Sequence, residues 1–535
     1  MPANLFPYQT RSMMRFPGKR TQHSTQAPNV WEISGDQMTS PFPNSYWLEP
    51  GRILCGEYPR DFDDLEDHEG MSAILGAGAR VFIDLTEEGE LKPYTTIALD
   101  VAGKLGIDSE ELEFHRFPIR DVSVPKSQEE MRSILRTIRL ARHQGKTIYL
   151  HCWGGRGRTG TVAGCALRDL FDLDGEEALA LLVNRWQACA KSEWSESPET
   201  DEQRGFVRSF NPVESRENQI RSALLGAAVG DALGVPVEFA GRESRKNNPV
   251  TDMREFGSHH QPAGTWSDDT SMILATMEGF LKAGGYSPVA AMEEFSAWLN
   301  SARHTPHGSV FDVGNATSQA IRRFDSGTPA TQCGGSEEWS NGNGSLMRIL
   351  PVALAYANDP DLVEKASQMS ALTHAHERSR MSCAFFCLVV SELLHGNPIQ
   401  DSVAFAWQVM DMRWDFSLDE RPRFESWHPD PLFSREESDI HGTGHVVDTL
   451  EAALWLNEKH DTFREAVLGA INLGDDTDTT GCVTGALAGL IHGEDGIPVD
   501  WREVLVKRSE LERLAVRFAK FCREQQPEGQ GKVVS

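Results

Sequence analysis

Cysteine is scarce in this chain, and its spacing carries no pairing signal. The 535 residues include 9 cysteines, an odd number without a single CxxC pair. That excludes a dense disulfide framework and a cysteine-built structural zinc site. Long hydrophobic runs are missing as well. No stretch approaches the roughly 20 apolar residues that a membrane-spanning helix needs. The longest, Cys383–Val390 and Val483–Ile491, read as buried helix segments, with Cys383 and Cys387 as buried thiols on one helix face. The first residues show no apolar stretch ending in a small-residue cleavage site, so the expected location is cytoplasmic. Positive charge is short too: 52 Lys and Arg face 79 Asp and Glu, for a net charge of −27. A field of that sign repels nucleic acid and acidic membranes, so neither is an expected partner. An anionic substrate must then be held by local donors or by a bound cation.

What is present divides the chain. Residues 1–45 are polar, carry scattered Pro, Ser and Gln, and read as a disordered tail; residues 526–535 read likewise. Over 46–210 short β-rich runs (Val81–Leu85, Thr147–Leu150) flank a stretch with apolar residues at helical spacing, Met131, Ile134, Leu135, Ile138 and Leu140. That order implies an α/β layer fold, a parallel-containing sheet flanked by helices. Pro198 and the acids after it read as a helix start, and residues 211–216 as the linker. From 217 to 525 Ala- and Leu-rich helical patterns follow one another, clearest at Ser222–Leu233, Thr270–Ala283, Pro288–Asn300, Ser345–Ala357, Val446–Leu456 and Thr480–Ile491. No run there alternates at period two, so this half is expected to be all-α. Trp414–Ile440 is charged, contains proline and reads as a surface loop.

One cysteine stands apart. His151, Cys152, Trp153, Gly154, Gly155, Arg156, Gly157, Arg158, Thr159 and Gly160 follow an apolar strand and open a helical stretch. A thiol attacks phosphorus only as thiolate, and its ordinary pKa near 8.5 leaves it mostly protonated. A strand-to-helix turn aims a helix N-terminus and several backbone amides at the sulfur. The glycines let residues 153–159 curl so that the same amides also face phosphate oxygens. Arg158 can bind two of those oxygens as a planar fork. Thr159 can stabilise the departing thiolate. This run, with its flanks over residues 46–205 and the opening segment Pro50–Pro59, resembles the dual-specificity branch of the protein tyrosine phosphatases. The resemblance implies a general acid on a separate loop. Phe117–Pro125 is similar to that loop and places Asp121 thirty-one residues before Cys152. The implied substrate is a phosphorylated protein or a small phosphate monoester, lipid or nucleotide included, and the implied route a phosphocysteine intermediate. Arg120 stands where that family has a neutral residue.

Two acidic clusters mark the second half: Ser267-Asp268-Asp269 and Asp475-Asp476-Thr477-Asp478-Thr479, each opening an apolar helix. N-capping needs one such residue. Several adjacent carboxylates repel one another unless a cation sits among them, and hydroxyl and carboxylate oxygens suit magnesium or manganese. With Gly226–Glu238 and Asn341–Arg348, these clusters resemble the ADP-ribosylglycohydrolase family over residues 217–525. The resemblance implies an all-α orthogonal bundle with two divalent cations, Mg or Mn. The implied ligands are Ser267, Asp268, Asp269, Asp476, Asp478 and Thr479, with Asp269 or Asp476 as base. It further implies substrate contacts at Glu238, Gly314, Asn315, Asn343, Gly344, Ser345 and His374. Serine at 267, where members often have threonine, keeps the oxygen. The expected substrate is an ADP-ribosylated protein or an ADP-ribose-containing small molecule. The rival reading is a module that binds ADP-ribose without cleaving it and delivers an active phosphatase to tagged proteins.

Overall fold

The computed structural model describes residues 39–60, 64–210 and 215–525. Both expected terminal tails, apart from residues 39–45, and most of the expected linker lie outside these. Residues 39–45 depart from the tail reading: Phe42 packs against the core and the first strand begins at Ser45.

Five strands form one sheet: β1 (Ser45–Glu49), β2 (Ile53–Gly56), β3 (Ala79–Asp84), β4 (Glu113–Arg116) and β5 (Thr147–His151), in the order β1-β2-β5-β3-β4. β1 runs antiparallel to β2, and the other neighbours are parallel. The central strands are covered on both faces, so their alternation separates two cores and does not divide core from solvent. Val81, Ile83, Ile148 and Leu150 face one core; Leu54, Phe82 and Tyr149 face the other. The second face is covered by α1 (Asp64–Gly76) and α2 (Thr95–Leu105). The first is covered by α3 (Gln128–His143), α4 (Gly157–Phe171), α5 (Gly175–Trp186) and α6 (Asp201–Ser209). α6 starts three residues after Pro198, because the Thr200 hydroxyl caps Gln203 N at 3.2 Å.

The second half is helical throughout, with only isolated bridges among its described residues. It comprises α7 (Arg216–Gly234), α8 (Arg242–Asn247), α9 (Asp268–Ala283), α10 (Pro288–Ser301), α11 (Asn315–Asp325), α12 (Leu350–Tyr356), α13 (Leu362–Ala371), α14 (Glu377–Leu394) and α15 (Ile399–Arg413). There follow α16 (Arg421–Glu425), α17 (Pro429–Phe433), α18 (Val446–Lys459), α19 (Phe463–Leu473), α20 (Thr477–Gly496), α21 (Val499–Val504) and α22 (Arg508–Gln525). At the centre α7 and α20 touch backbone to backbone. A Cβ on Gly230 would lie 2.0 Å from the Gly481 carbonyl oxygen, and one on Gly485 would lie 2.2 Å from that of Gly226. Nothing larger than glycine fits.

Three expectations need correction. The helix read over Ser345–Ala357 begins only at Leu350; Asn343–Ser345 form a tight 3-10 turn that puts polar groups inside the domain. Trp414–Ile440 is no surface loop: it folds into α16 and α17, and Phe424, Trp427 and Leu432 are fully buried. Phe424 stacks on Trp407 of α15, with ring centroids 5.4 Å apart. Arg216–Val237 is, contrary to the sequence reading, long and apolar enough to cross a membrane, with a mean hydropathy of 1.3 over its best window. It is 94% buried inside the protein, as a core helix should be.

The two halves meet along a polar seam. Arg139 of α3 donates to Asp169 of α4 at 2.6 Å and to Glu392 of α14 at 2.8 Å, all three being buried. His395 reaches Asp169 at 3.0 Å and Asn358 at 2.9 Å. Arg413 donates to the His143 carbonyl at 2.9 Å. Leu140, expected to face its own domain, packs against the core of the other.

The α7–α20 contact is directly testable. Gly485→Ala should destabilise the chain by about 1–3 kcal/mol, the usual cost of overpacking. Unfolding in urea reads it, and an unchanged midpoint would contradict the close approach.

Candidate active sites

Cys152 follows β5 and enters the turn that starts α4, 3% exposed. The turn is held open from outside. The carbonyls of Trp153, Gly154 and Arg156 accept from Tyr58 N (2.8 Å), Lys191 Nζ (3.0 Å) and the Ser197 hydroxyl (2.8 Å). The N–H groups of Trp153, Gly154, Gly155 and Arg156 donate to nothing among the described residues, which leaves them for an anion. Gly155 has φ +70°, and a Cβ there would come within 2.4 Å of the Gly56 backbone. His151 is buried, meets the Tyr94 hydroxyl at 2.9 Å, and is pushed down to about 4 chiefly by desolvation, so it is neutral.

Arg158 is 2% exposed, and its donors are already apportioned. Nη1 and Nη2 take both oxygens of Glu90 at 2.8 and 2.7 Å, Nη1 also reaches the Ile119 carbonyl at 3.1 Å, and Nη2 lies 3.0 Å from Asp121. Nε alone has no partner among the described residues. The Thr159 hydroxyl beside it is also buried and unpaired. The structure thus brings Asp121 against the arginine of the cysteine turn. The Arg156 side chain turns away to Glu199 at 3.2 Å, so only its backbone is available to a phosphate. Trp153 is over half exposed at the rim. Glu90 was missed; it lies in a run of acids that reads as solvated surface.

In the helical half the tips of α9 and α20 converge on the C-terminal part of α7. Asp231, Asp269 and Asp478 bring ligand oxygens within 4.8 Å of one another, as do Glu238, His259, Asp312 and Asp478. The Ser267 and Thr479 hydroxyls donate to Asp269 Oδ2 at 3.0 and 3.3 Å. Asn343 Nδ2 donates to Asp476 Oδ2 at 3.1 Å and thereby ties the substrate loop to the acidic cluster. Asp231 accepts from Ser267 N (2.8 Å), Thr270 N (3.0 Å) and the Thr270 hydroxyl (2.6 Å), capping α9 from a neighbouring helix. Glu238 pairs closely with His259, whose ring is flanked by Phe239 and Phe311. Gly344 sits against His374 and Thr317, while Gly314 and Asn315 are exposed at the start of α11. Ser345 departs from its expected role. Its hydroxyl is buried between Ser370 (2.9 Å) and Cys383 (3.4 Å), so its side chain anchors the loop in the core and does not face a ligand.

Comparison with known proteins fits this division. Residues 212–528 match the family model described as ADP-ribosylglycohydrolase. The chain belongs to the ADP-ribosylglycohydrolase family. Residues 43–207 match a second model, the DSP-PTPase phosphatase domain of the Swiss Army Knife group, and both matched families are hydrolases. ADP-ribosylarginine hydrolase Tri1 of Serratia proteamaculans is 30% identical over 57% of this chain and 80% of its own length. The ADP-ribosyl-[dinitrogen reductase] glycohydrolase of Rhodospirillum rubrum is 31% identical over 54% of this chain and 91% of its own. A solved structure described as an ADP-ribosylglycohydrolase-related protein complex shares 32% identity over 58% of this chain and 99% of that one, with a TM-score of 0.49.

The acidic cluster of this glycohydrolase domain has the chemistry of a cation site. Asp269 Oδ1, Asp476 Oδ1 and Asp478 Oδ2 are buried without any partner among the described residues. Such oxygens are costly unless a cation or proton compensates them. Burial first, then neighbouring carboxylates, pushes Asp268, Asp269 and Asp478 well above the ordinary range. Burial likewise raises Asp231 to about 6 and Glu238 to about 7. His259 is raised by its bond to Glu238. Asp231, His259 and Asp312 were missed as cluster members. Asp312 lay two residues from Gly314 in a motif already singled out, so its neighbourhood was a usable signal; the His259 segment offered none.

A pH dependence follows. Unfolded aspartates titrate near 4. The raised folded values mean that, without metal, the native state binds more protons than the unfolded chain between about pH 4 and 7. That stabilisation is complete below the unfolded pKa and lost as pH rises through the folded values. In chelator the melting midpoint should therefore fall between pH 5 and pH 8, less steeply in Asp478→Asn. Mg2+ or Mn2+ at pH 8 should restore it. A metal-insensitive midpoint would argue against cation binding.

Proposed function

We propose that the chain is a bifunctional hydrolase. Its C-terminal domain cleaves ADP-ribose from arginine on a modified protein, and its N-terminal domain hydrolyses a phosphate monoester. The observation that carries the first half is the set of buried, partnerless carboxylate oxygens beside the Asn343 loop. The names of the Serratia and Rhodospirillum relatives support the substrate, and that of the first supports the arginine linkage. Asp268, Asp269, Asp476 and Asp478, with the hydroxyls of Ser267 and Thr479, would hold a pair of divalent cations. When bound, those cations supply Lewis acidity and an ordered water at the anomeric carbon. Asp269 or Asp476, whose Oδ1 atoms have no hydrogen-bond partner among the described residues, would take the proton of the attacking water. Asn343, held by Asp476 and by Thr449 at 2.9 Å, fixes the loop against which the ligand lies.

In the phosphatase domain the unpaired Nε of Arg158 and the undonated turn amides receive the phosphate oxygens. The Cys152 sulfur forms the bond to phosphorus while Asp121 protonates the departing oxygen. Water then attacks the phosphocysteine with Asp121 as base, the thiolate leaves, and Thr159 donates to it.

The full-length protein tests both halves. Metal-loaded enzyme should release ADP-ribose from an arginine-linked peptide, and Asp268→Ala should lower kcat/KM by about a hundredfold or more. Cys152→Ser should abolish hydrolysis of p-nitrophenyl phosphate and leave ADP-ribose release intact. Tight ADP-ribose binding without release from any linkage would favour the non-cleaving module.

A further inference from the structure

Behind the Asn343 loop runs a chain of buried polar groups that the reaction above does not use. It begins at Arg348, which is 0% exposed and forms no ion pair among the described residues. Its guanidinium lies over the Phe295 ring, 4.7 Å from the centroid. Nη2 donates to the Met369 carbonyl at 3.0 Å and to the Thr373 hydroxyl oxygen at 2.8 Å. That hydroxyl in turn lies 2.9 Å from Nδ1 of His374.

The direction of this chain is set by its first member. A guanidinium has donors and no acceptor, so the Thr373 oxygen must accept from it. The hydroxyl keeps one proton to give, and His374 Nδ1 is the partner within reach. Nδ1 is then the acceptor, and a neutral imidazole whose Nδ1 accepts carries its proton on Nε2. Burial, reinforced by the charge of Arg348, drives His374 down to about 3 and keeps the ring neutral. The ring is further fixed through its own carbonyl, which accepts from Ser370 at 3.0 Å. Its Nε2 has no partner among the described residues and lies against the substrate turn. A Cβ on Gly342 would sit 3.6 Å from Nε2, and one on Gly344 would sit 2.9 Å from Cε1.

We infer that Arg348 and Thr373 are positioning residues that lock His374 in its neutral Nε2–H form, so that it presents a hydrogen-bond donor to an anionic oxygen of the diphosphate at the Gly342–Gly344 turn. The alternative tautomer would aim a lone pair at that oxygen and repel it. The relay thus supplies specificity for an oxyanion without placing a second positive charge beside the cation site. The inference rests on the ADP-ribose reading of this domain, but the tautomer can be read without any ligand.

The test uses full-length protein with 15N-labelled histidine, the His374 signals being assigned among the 17 histidines by their loss in His374→Asn. Wild type should show the Nε2–H form from pH 6 to pH 8. Thr373→Val, nearly isosteric, should lose that fixed form and weaken binding of free ADP-ribose about tenfold, as the loss of one oriented hydrogen bond would. Thr373→Ser should restore both, and melting should stay within a few degrees throughout. An Nδ1–H form in wild type, or an unchanged tautomer in Thr373→Val, would overturn the relay. A correct tautomer shift with no ADP-ribose binding by wild type would leave the relay standing and remove the diphosphate as its purpose.

Discussion

The helical half is organised around a close contact that forces carboxylates together. Because α7 and α20 meet through glycines, a Cβ on Gly234 would fall 2.3 Å from Cα of Asp478. Backbones that near bring Asp231 and Asp478 into one small volume, and the tip of α9 adds Asp268 and Asp269. These carboxylates are buried, so each charge costs several kcal/mol unless something offsets it. Asp231 is offset by three donors at the start of α9. The unpaired oxygens of Asp269, Asp476 and Asp478 have no such donors. The fold thus concentrates carboxylates whose charge is offset by protons at low pH and has the chemistry to be offset by a cation above it.

The phosphatase site shows the same device with the sign reversed. There a buried guanidinium is the stored charge, and Glu90 and Asp121 hold its two terminal nitrogens. Glu90, lowered by its bonds to Arg158, stays ionised and keeps the fork oriented while Nε remains free. A phosphate arriving at the turn meets a donor already aimed and gains from low local dielectric. The chain as a whole is strongly negative, so attraction of an anion to either site has to be local. Neither site relies on the surface field.

Legibility in the sequence followed how many residues each feature needed. The turn around Cys152 and the two acidic helix tips each used several adjacent residues of one chemical type, a pattern that capping or chance would not produce. Members contributed singly were hidden: Asp231 sits inside an Ala- and Gly-rich helix where one acid reads as a cap or a solvated position. His259 and Glu90 came from loops without periodicity. The segment Trp414–Ile440 misled because helices of five residues are too short to show a period. What decided its burial was the stacking of Phe424 on Trp407, a tertiary contact. Ser345 was read as a helix start and as a ligand contact, and it is neither, since spacing along a tight turn does not reveal which side of it faces the core.

The seam between the halves constrains how the two chemistries can be related. α4 carries the cysteine turn at one end and Asp169 at the other; α14 reaches Cys383, against the Ser345 anchor, and ends beyond Glu392. Both far ends lie in the seam, joined through Arg139. At 1.5 Å per residue the cysteine turn is removed from the seam by most of α4, about 18 Å, and Cys383 by about half of α14, about 14 Å. Separating the domains would break the Arg139–Glu392 pair, leaving Arg139 with Asp169 and Glu392 with Asn397. The two halves therefore share a buried ionic contact, with the cysteine turn at the opposite end of α4 from it.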